Sequence, residues 1–456
     1  MAWKYTASEL ARIVNAAPTA LDAECSGVST DTRTLRPGQV FFALSGENFD
    51  GNRFVPEAFA KGASAAVAQV SLGDKPCIVV ENPLEALQRF AAHHRKQFTV
   101  PVIAITGSCG KTTAKDCVAA VLETKYRVVK TQGNLNNEIG CPLSLLQLEA
   151  DTQRAVIEMG ANHAGEIARL CALARPTESA ITLVAPAHLE GFGSIENVAA
   201  AKAEIMEALP PDGFFYVNTD NEWCAQIGER FQGSKCYFGH AGDVVVKQWD
   251  WDPSGEMILD IRPIGPVRLP LAVPAQITNV LLAIAVGLRH GVTAFEAPLR
   301  TALEHAARFR IGRVGPLEVL DDSYNANPAS MKAALEALAA RPGKGARMAA
   351  LGDMLELGPD APQLHREIGE IAGRCGVSRL FGLGAYAHDM IEGALAAGTP
   401  HADVIQDHAA IARAVHSVAR PGDSLLIKGS RGTRMENILP PLRALYGEPE
   451  TGTTRH

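Results

Sequence analysis

The chain has 456 residues, enough for two to four domains with cores of their own. Hydrophobic residues make up 47% and charged residues 20%, a soluble globular balance, and the formal charge of -7 argues against broad nucleic-acid binding. The nine cysteines run from Cys25 to Cys375 without a Cys-x-x-Cys pair, which argues against a disulfide framework or a structural zinc site and for a reducing compartment. MAWKYTASEL has no long apolar core after its lysine, and NVLLAIAVGL is too short to span a bilayer. A cytoplasmic enzyme without membrane insertion is expected.

Along the first hundred residues, GQVFFALSG (38–46), AAVAQV (65–70) and CIVV (77–80) predict short strands, with FVPEAFAKGAS (54–64) helical between them. PLEALQRFAAHHRKQ (83–97) predicts a helix that closes a first domain, 1–98. From VPVIAIT (100–106) the rhythm becomes strand then helix, repeated: AVIEM before GEIARLCALA, SAITLV before IENVAAAKAEIMEAL, then FFYVN and KCYF. Continuous apolar strands between helices predict a parallel sheet covered on both faces. VVVKQW, EMILDI and VRLPLA are more mixed and suggest an antiparallel extension, followed by the helix AQITNVLLAIAVGLRHG. This central domain is placed at 99–313. LEVLDDS (317–323) opens a third unit, 314–456, in which ARMAALG, RLFGLG, ADVIQ and SLLIKGS alternate with four helical stretches, a second doubly wound α/β pattern.

ITGSCGKTTAKD (105–116) joins the strand at 100–106 to a helix running to about Leu122. Gly107 and Gly110 permit a tight turn of backbone N–H groups, and the helix that follows presents its positive end to an anion. Lys111 adds a point charge for phosphates and Thr112 a hydroxyl suited to Mg²⁺. Ile105 stands where the full Walker pattern has its first glycine, so this is a shortened GxxGKT loop. An ordinary surface turn is the plain alternative; the strand before and the helix after favour a bound nucleoside triphosphate. Glu158 ends the next strand and His188 follows another by a few residues, so both are placed to converge beside the loop and hold metal. The plain alternatives are a helix cap for Glu158 and a local hydrogen bond for His188.

TGSCGKTT, NLNNEIGCP (134–142), IEMGANHAGEI (157–167), APAHLEGFGSIENVAAAKAEI (185–205), DDSYNANPAS (321–330), ALGDMLELG (350–358) and IKGSRG (427–432) together resemble the Mur ligase family, the ATP-dependent amide ligases of bacterial cell-wall synthesis. The similarity runs from STDTR near the N-terminus to LLIKGSRGTRMENILP near the C-terminus. It implies three domains: a small N-terminal α/β domain for a UDP-linked substrate, a central P-loop ATPase domain with a mostly parallel sheet, and a C-terminal Rossmann-like domain. YNANP with GDMLELG resembles the branch whose substrates are a UDP-N-acetylmuramoyl-tripeptide and D-alanyl-D-alanine. The implied chemistry is phosphorylation of the tripeptide carboxylate by ATP, then attack of the dipeptide amine on the acyl phosphate. A monomer is expected.

Carried over residue by residue, the resemblance gives the loop Gly107, Ser108, Cys109, Gly110, Lys111, Thr112 and Thr113 to ATP. Two magnesium ions are implied, with Thr112 and Glu158 at the first and His188 at the second. Lys202 matches the family lysine that becomes carbamylated and so turns from a cation into an anion beside Mg²⁺. Its plain alternative is a solvent-facing lysine in good helix sequence, AAAKAEI. Asn279 matches an adenine-recognising asparagine, with Gln276 where the family commonly has histidine. Arg308 matches a linker arginine that meets phosphate, although Ala307 replaces the preceding glycine and Arg310 competes for the role. Asp322 matches the ribose-holding residue. Ser29, Thr30, Asp31 and Arg33, with Ser45 and Gly46, match the UDP end; Asn136, Asn137 and Glu138 match a substrate loop. Asn325, Asn327, Lys428, Ser430 and Arg431 are expected near the peptide, Arg431 having a surface ion pair as its plain alternative.

Other readings are a ligase adding a single amino acid, as in the preceding cell-wall step or folate polyglutamylation, and a nucleotide-regulated binding protein without catalysis. The first normally carries an aspartate-proline-arginine signature where GDMLELG stands here. Lys111, Glu158, His188 and Lys202 together argue against the second.

Overall fold

The computed structural model describes residues 5–17, 22–46, 49–252, 255–271, 273–305, 309–341 and 345–448. Among these, three larger sheets follow one another along the chain. The first has four parallel strands in the order Val28–Ser29, Val40–Phe42, Ala65–Ala68, Cys77–Val79. A hairpin, Ser45–Gly46 with Phe49–Asp50, extends from it. The helix Pro83–Arg95 starts where Asn82 accepts hydrogen bonds from the N–H groups of Leu84 and Glu85, with Pro83 in the first turn where no N–H is needed. Its Leu87, Phe90 and Ala91 are buried, and Phe90 meets Tyr5 edge-on at 5.0 Å.

The central sheet has nine strands, ordered Val128–Lys130, Arg154–Glu158, Val102–Thr106, Glu178–Ile181, Phe214–Asn218, Ser234–Gly239, Val244–Trp251, Met257–Arg262, Gly265–Leu269. Pairing is parallel through Val244–Trp251, and the last two strands add the expected antiparallel extension. All five residues of Val102–Thr106 are buried, which is why that strand shows no apolar–polar alternation. The chain places its next two strands to one side of Val102–Thr106 and then crosses to Glu178–Ile181 on the other. Such a reversal opens a crevice at the carboxyl ends of the strands. Helices Lys111–Glu123 and Ile277–Arg289 share one apolar core with the sheet. On the other face, Leu170 and Val198 belong to a core that continues into Leu10 and Phe90 of the N-terminal unit.

The C-terminal sheet is ordered Arg310–Val314, Leu317–Asp322, Ser424–Lys428, Arg347–Gly352, Arg379–Leu383, His401–Val404, parallel except for its first strand. Because Arg310–Val314 pairs with Leu317–Asp322, this sheet begins ahead of residue 314. Asp322 and Lys428 are register partners at the ends of two adjacent strands. None of the helices among the described residues is long and apolar enough to cross a membrane.

Candidate active site

The phosphate loop turns between the strand Val102–Thr106 and the helix Lys111–Glu123. Gly107 (φ 147°) and Gly110 (φ 82°) take backbone conformations that side chains resist. A Cβ at Gly107 would stand 2.0 Å from Thr182 Oγ1, and one at Gly110 would stand 2.8 Å from Asn279 Oδ1. The loop is therefore packed from below by Thr182 and Asn279. Thr182 Oγ1 donates to the Cys109 carbonyl, and Ser108 Oγ donates to Ala185 O at 2.8 Å. The Lys111 ammonium donates to Gly107 O at 2.7 Å and so folds back over the turn.

Glu158, fully buried, is not a helix cap. Its Oε1 accepts from Thr112 Oγ1 at 3.2 Å and from Asn136 Nδ2 at 2.7 Å. Its Oε2 is buried with no hydrogen-bond partner among the described residues. A carboxylate oxygen left in that state beside a phosphate loop suits a hard cation, so the residues present fit magnesium. Among the described residues no three His, Cys, Asp or Glu side chains form a ready-made metal cage. Mg²⁺ commonly takes one or two carboxylates and completes its shell with water and substrate phosphate.

The His188 carbonyl accepts from Gly191 N and Phe192 N, both at 3.0 Å, but among the described residues its ring makes no local hydrogen bond. Its Nδ1 meets the carboxylate of Glu356, contributed by the C-terminal unit. Burial lowers its pKa and the charges of Lys111 and Lys202 lower it further, while Glu356 opposes both. Lys202 does not face solvent: it is 2% exposed, with its ammonium 3.4 Å from Ala161 O and 5.5 Å from the centre of the Phe192 ring. Burial first, and then the Lys111 charge, lower the Lys202 pKa to about 7, against Glu166 and Glu204 which act to raise it.

Lys111, Glu158, His188 and Glu356 line a cleft of about 910 Å³ whose walls come mainly from the central and C-terminal units, with Gln88 from the N-terminal unit also in its lining. Ser108, Cys109, Gly110, Lys111 and Thr113 reach it, as do Asn136, Asn137, Glu138, Glu158, His188 and Asn279. From the C-terminal unit come Asp322, Asn325, Asn327, Lys428, Ser430 and Arg431. Gly107, Thr112 and Lys202 are not among the lining residues. Several of the lining residues also hold local structure. Asn327 caps the helix Pro328–Ala340 by accepting from Ser330 N at 2.9 Å, and Asn137 accepts from Gly140 N at 2.9 Å. Buried Lys428 pairs with Asp322 and donates to Asn325 O at 2.9 Å. Arg431 does form an ion pair, with Glu436 at 2.9 Å, and also lies 5.8 Å from the Tyr324 ring.

The residues expected at the UDP end do not line this cleft. Asp31 and Arg33 form a bidentate pair, Ser29 Oγ donates to Asp31 O at 2.9 Å, and Ser45 Oγ donates to Asp50 at 3.2 Å. Thr30 lies within the same turn and Gly46 within the hairpin. Arg308 and Ala307 lie outside the described residues, and Arg310 is exposed on the edge strand and does not line the cleft, although its neighbour Phe309 does.

Sequence reasoning missed Glu356, Lys115 and Arg169. Lys115 is 1% exposed and donates to Thr131 O at 2.8 Å and Gly133 O at 3.2 Å, fixing the start of the Asn136 loop. Its signal was the four-residue spacing from Lys111 on one helix. Arg169 reaches the cleft from the helix Glu166–Ala174.

A phosphate loop at a sheet reversal, a buried carboxylate suited to Mg²⁺ and a second α/β unit closing over both define a multidomain nucleotide-dependent enzyme. A family model for the Mur ligase middle domain matches residues 105–287; models for the Mur ligase glutamate ligase domain and the Mur ligase catalytic domain match 307–431 and 24–95. The UDP-N-acetylmuramoyl-tripeptide--D-alanyl-D-alanine ligase of Escherichia coli (strain K12) is 37% identical, over 96% of this chain and 98% of its own. The ligase of the same name from Bacillus subtilis (strain 168) is 35% identical, over 91% and 93%. A crystal structure of MurF from Acinetobacter baumannii superposes with a TM-score of 0.86 at 30% identity, covering 97% of this chain and 99% of that one. MurF from Thermotoga maritima, solved in complex with ADP, gives 0.81 at 28%, covering 92% and 98%. The chain belongs to the Mur ligase family. It is an ATP-dependent ligase that forms an amide bond.

Proposed function

We propose that this enzyme joins D-alanyl-D-alanine to the terminal carboxylate of UDP-N-acetylmuramoyl-tripeptide, releasing ADP and phosphate in peptidoglycan precursor synthesis. Relatives named for that reaction match nearly the full chain on both sides. The observation that carries the chemistry is the shared cleft, in which Lys111 and Glu158 of the central unit face Asn325, Lys428 and Arg431 of the C-terminal unit. A carboxylate is a poor acyl donor because its leaving group is oxide. Transfer of the γ-phosphoryl group to one carboxylate oxygen turns that oxygen into part of a leaving phosphate. The dipeptide amine then attacks the carbonyl carbon, the C–O bond to phosphate breaks, and the amine loses its proton as the amide forms.

In this reading Lys111, the backbone of Ser108 to Thr113 and the helix start hold the ATP phosphates. Asn279 takes adenine, Asp322 the ribose, and Arg308 a phosphate. The N-terminal unit, read as 1–98, holds the UDP end through Ser29, Thr30, Asp31, Arg33, Ser45 and Gly46. The central (99–313) and C-terminal (314–456) units hold the reacting groups, with Asn136, Asn137, Glu138, Asn327 and Ser430 along the peptide path. Two magnesium ions, one at Thr112 and Glu158 and one at His188 and Lys202, supply positive charge against the phosphates when bound. Lys202 serves as its carbamate: the neutral amine forms an N–C bond to carbon dioxide and loses a proton, leaving an anionic oxygen donor. A lysine held at a pKa of about 7 by burial has the neutral amine this addition needs. The enzyme acts in the cytoplasm as a monomer.

The test is acceptor-dependent ADP formation with UDP-N-acetylmuramoyl-tripeptide and ATP, comparing D-alanyl-D-alanine with single amino acids. The dipeptide is expected to be the preferred acceptor. Faster use of a single amino acid overturns the substrate assignment and leaves the ligase class standing.

A further inference from the structure

The loop after the strand Arg347–Gly352 is tied down by several hydrogen bonds. Met354 N donates to Nε2 of the fully buried His365 at 2.8 Å, and His365 Nδ1 donates to Ala361 O at 2.6 Å. Leu355 N donates to Ser430 Oγ at 2.9 Å, and Ser430 N returns a bond to Asp353 O at 2.9 Å. The Asp353 carboxylate accepts from Ala385 N at 2.7 Å and Tyr386 N at 3.1 Å. Everything around residue 356 is therefore fixed within the C-terminal unit. Glu356 itself reaches out of it. Its carboxylate meets His188 Nδ1, and its carbonyl accepts from Glu190 N at 3.1 Å on the helix Leu189–Phe192.

Both residues of this contact hold left-handed backbone conformations, Glu356 at φ 62° and His188 at φ 53°. Neither is glycine, so each conformation is sterically disfavoured. Such departures persist where the surroundings over-determine them, and they cluster at functional sites. A carboxylate without a proton can only accept, so Nδ1 carries the hydrogen and Nε2 is left with its lone pair. That is the tautomer a histidine needs in order to offer Nε2 as a ligand.

We propose that Glu356 is a positioning residue for His188, and that docking of the 353–357 loop onto the helix Leu189–Phe192 sets the His188 tautomer. The inference rests on the reading of His188 as a group acting at the reacting phosphate. Docking and catalytic competence are thereby linked: His188 is held in its working form only when the C-terminal unit is seated.

The full-length enzyme, labelled with ¹⁵N-histidine, reports the tautomer by ring-nitrogen shifts, with His188→Gln used to assign the His188 signals. Wild type is expected to show His188 protonated at Nδ1, and Glu356→Ala to move it to Nε2–H or to a mixture. Glu356→Gln retains an oxygen acceptor and is expected to keep the Nδ1–H form. In steady-state assays Glu356→Ala is expected to lose about 10-fold or more in kcat and to need more Mg²⁺ for half-maximal rate, with KM for ATP little changed. Glu356→Gln is expected to restore most of that loss. An unchanged tautomer in Glu356→Ala, or an unchanged kcat and Mg²⁺ requirement, overturns the positioning role. Full activity in His188→Ala is a different failure: it removes the reading of His188 on which the inference stands, and the inference with it.

Discussion

Lys111 lies at the N-terminus of its helix, folded over the loop onto Gly107 O. Lys111→Ala removes a positive charge from a water-poor phosphate site, and turnover is expected to fall on the order of 10²-fold or more with the fold retained. A near-normal steady-state rate from folded protein would contradict it. Lys202→Ala is expected to be poorly active and partly rescued by a small added carboxylate that replaces the carbamate oxygens. Lys202→Arg keeps charge and length yet is expected to stay poor, and full activity in that variant would end the carbamate reading. The sequence around Lys202 does not reveal its environment. AAAKAEI suits an exposed helix face equally well, and the groups found beside the buried ammonium, Ala161 and Phe192, come from other segments. Glu356 was hidden for the same reason, since its partner His188 is 168 positions away and no periodicity links them. Glu158 was easier to find, because a carboxylate at the end of an apolar strand after a phosphate loop falls where such sheets bind ligands.

The strand–loop–helix at 102–123 and the central and C-terminal cycles were legible because their strands are continuous apolar runs and their helices carry clear starts and stops. Two-residue strands such as Val28–Ser29 were not, for two residues carry no period. The edge strand Val128–Lys130 was also missed: it is short, half-buried and embedded in a polar stretch. These packed layers hold several thiols in the protonated form. Burial first raises Cys117 from the ordinary 9.0 to about 12, and does the same for Cys171 and Cys224. A folded-state pKa above the unfolded value stabilises the fold fully below pH 9. That stabilisation is lost as pH climbs toward 12, because the unfolded chain releases protons that the folded chain keeps. Each thiol should cost about 1.4 kcal/mol per pH unit above about 9. The urea midpoint is therefore expected to drop between pH 8 and pH 10, and to drop less in a variant with all three cysteines replaced by alanine. Parallel pH profiles for the two proteins would contradict this.

At the scale of the molecule, one cleft takes its walls mainly from the central and C-terminal units, and of the N-terminal unit only Gln88 among the described residues reaches it, while the residues assigned to the UDP end are not in its lining. A substrate long enough to reach from one to the other should draw the N-terminal unit inward. Solution scattering is expected to show compaction when a non-hydrolysable ATP analogue and UDP-N-acetylmuramoyl-tripeptide are both present, and less with either alone. Unchanged scattering would count against a large closure. The most direct test of the chemistry follows the oxygen atoms. With both oxygens of the tripeptide's terminal carboxylate labelled as ¹⁸O, turnover with ATP and D-alanyl-D-alanine is expected to deliver one labelled oxygen to inorganic phosphate and keep the other in the new amide. Phosphate released without label, or label appearing in AMP, would contradict transfer of the γ-phosphoryl group to the substrate carboxylate.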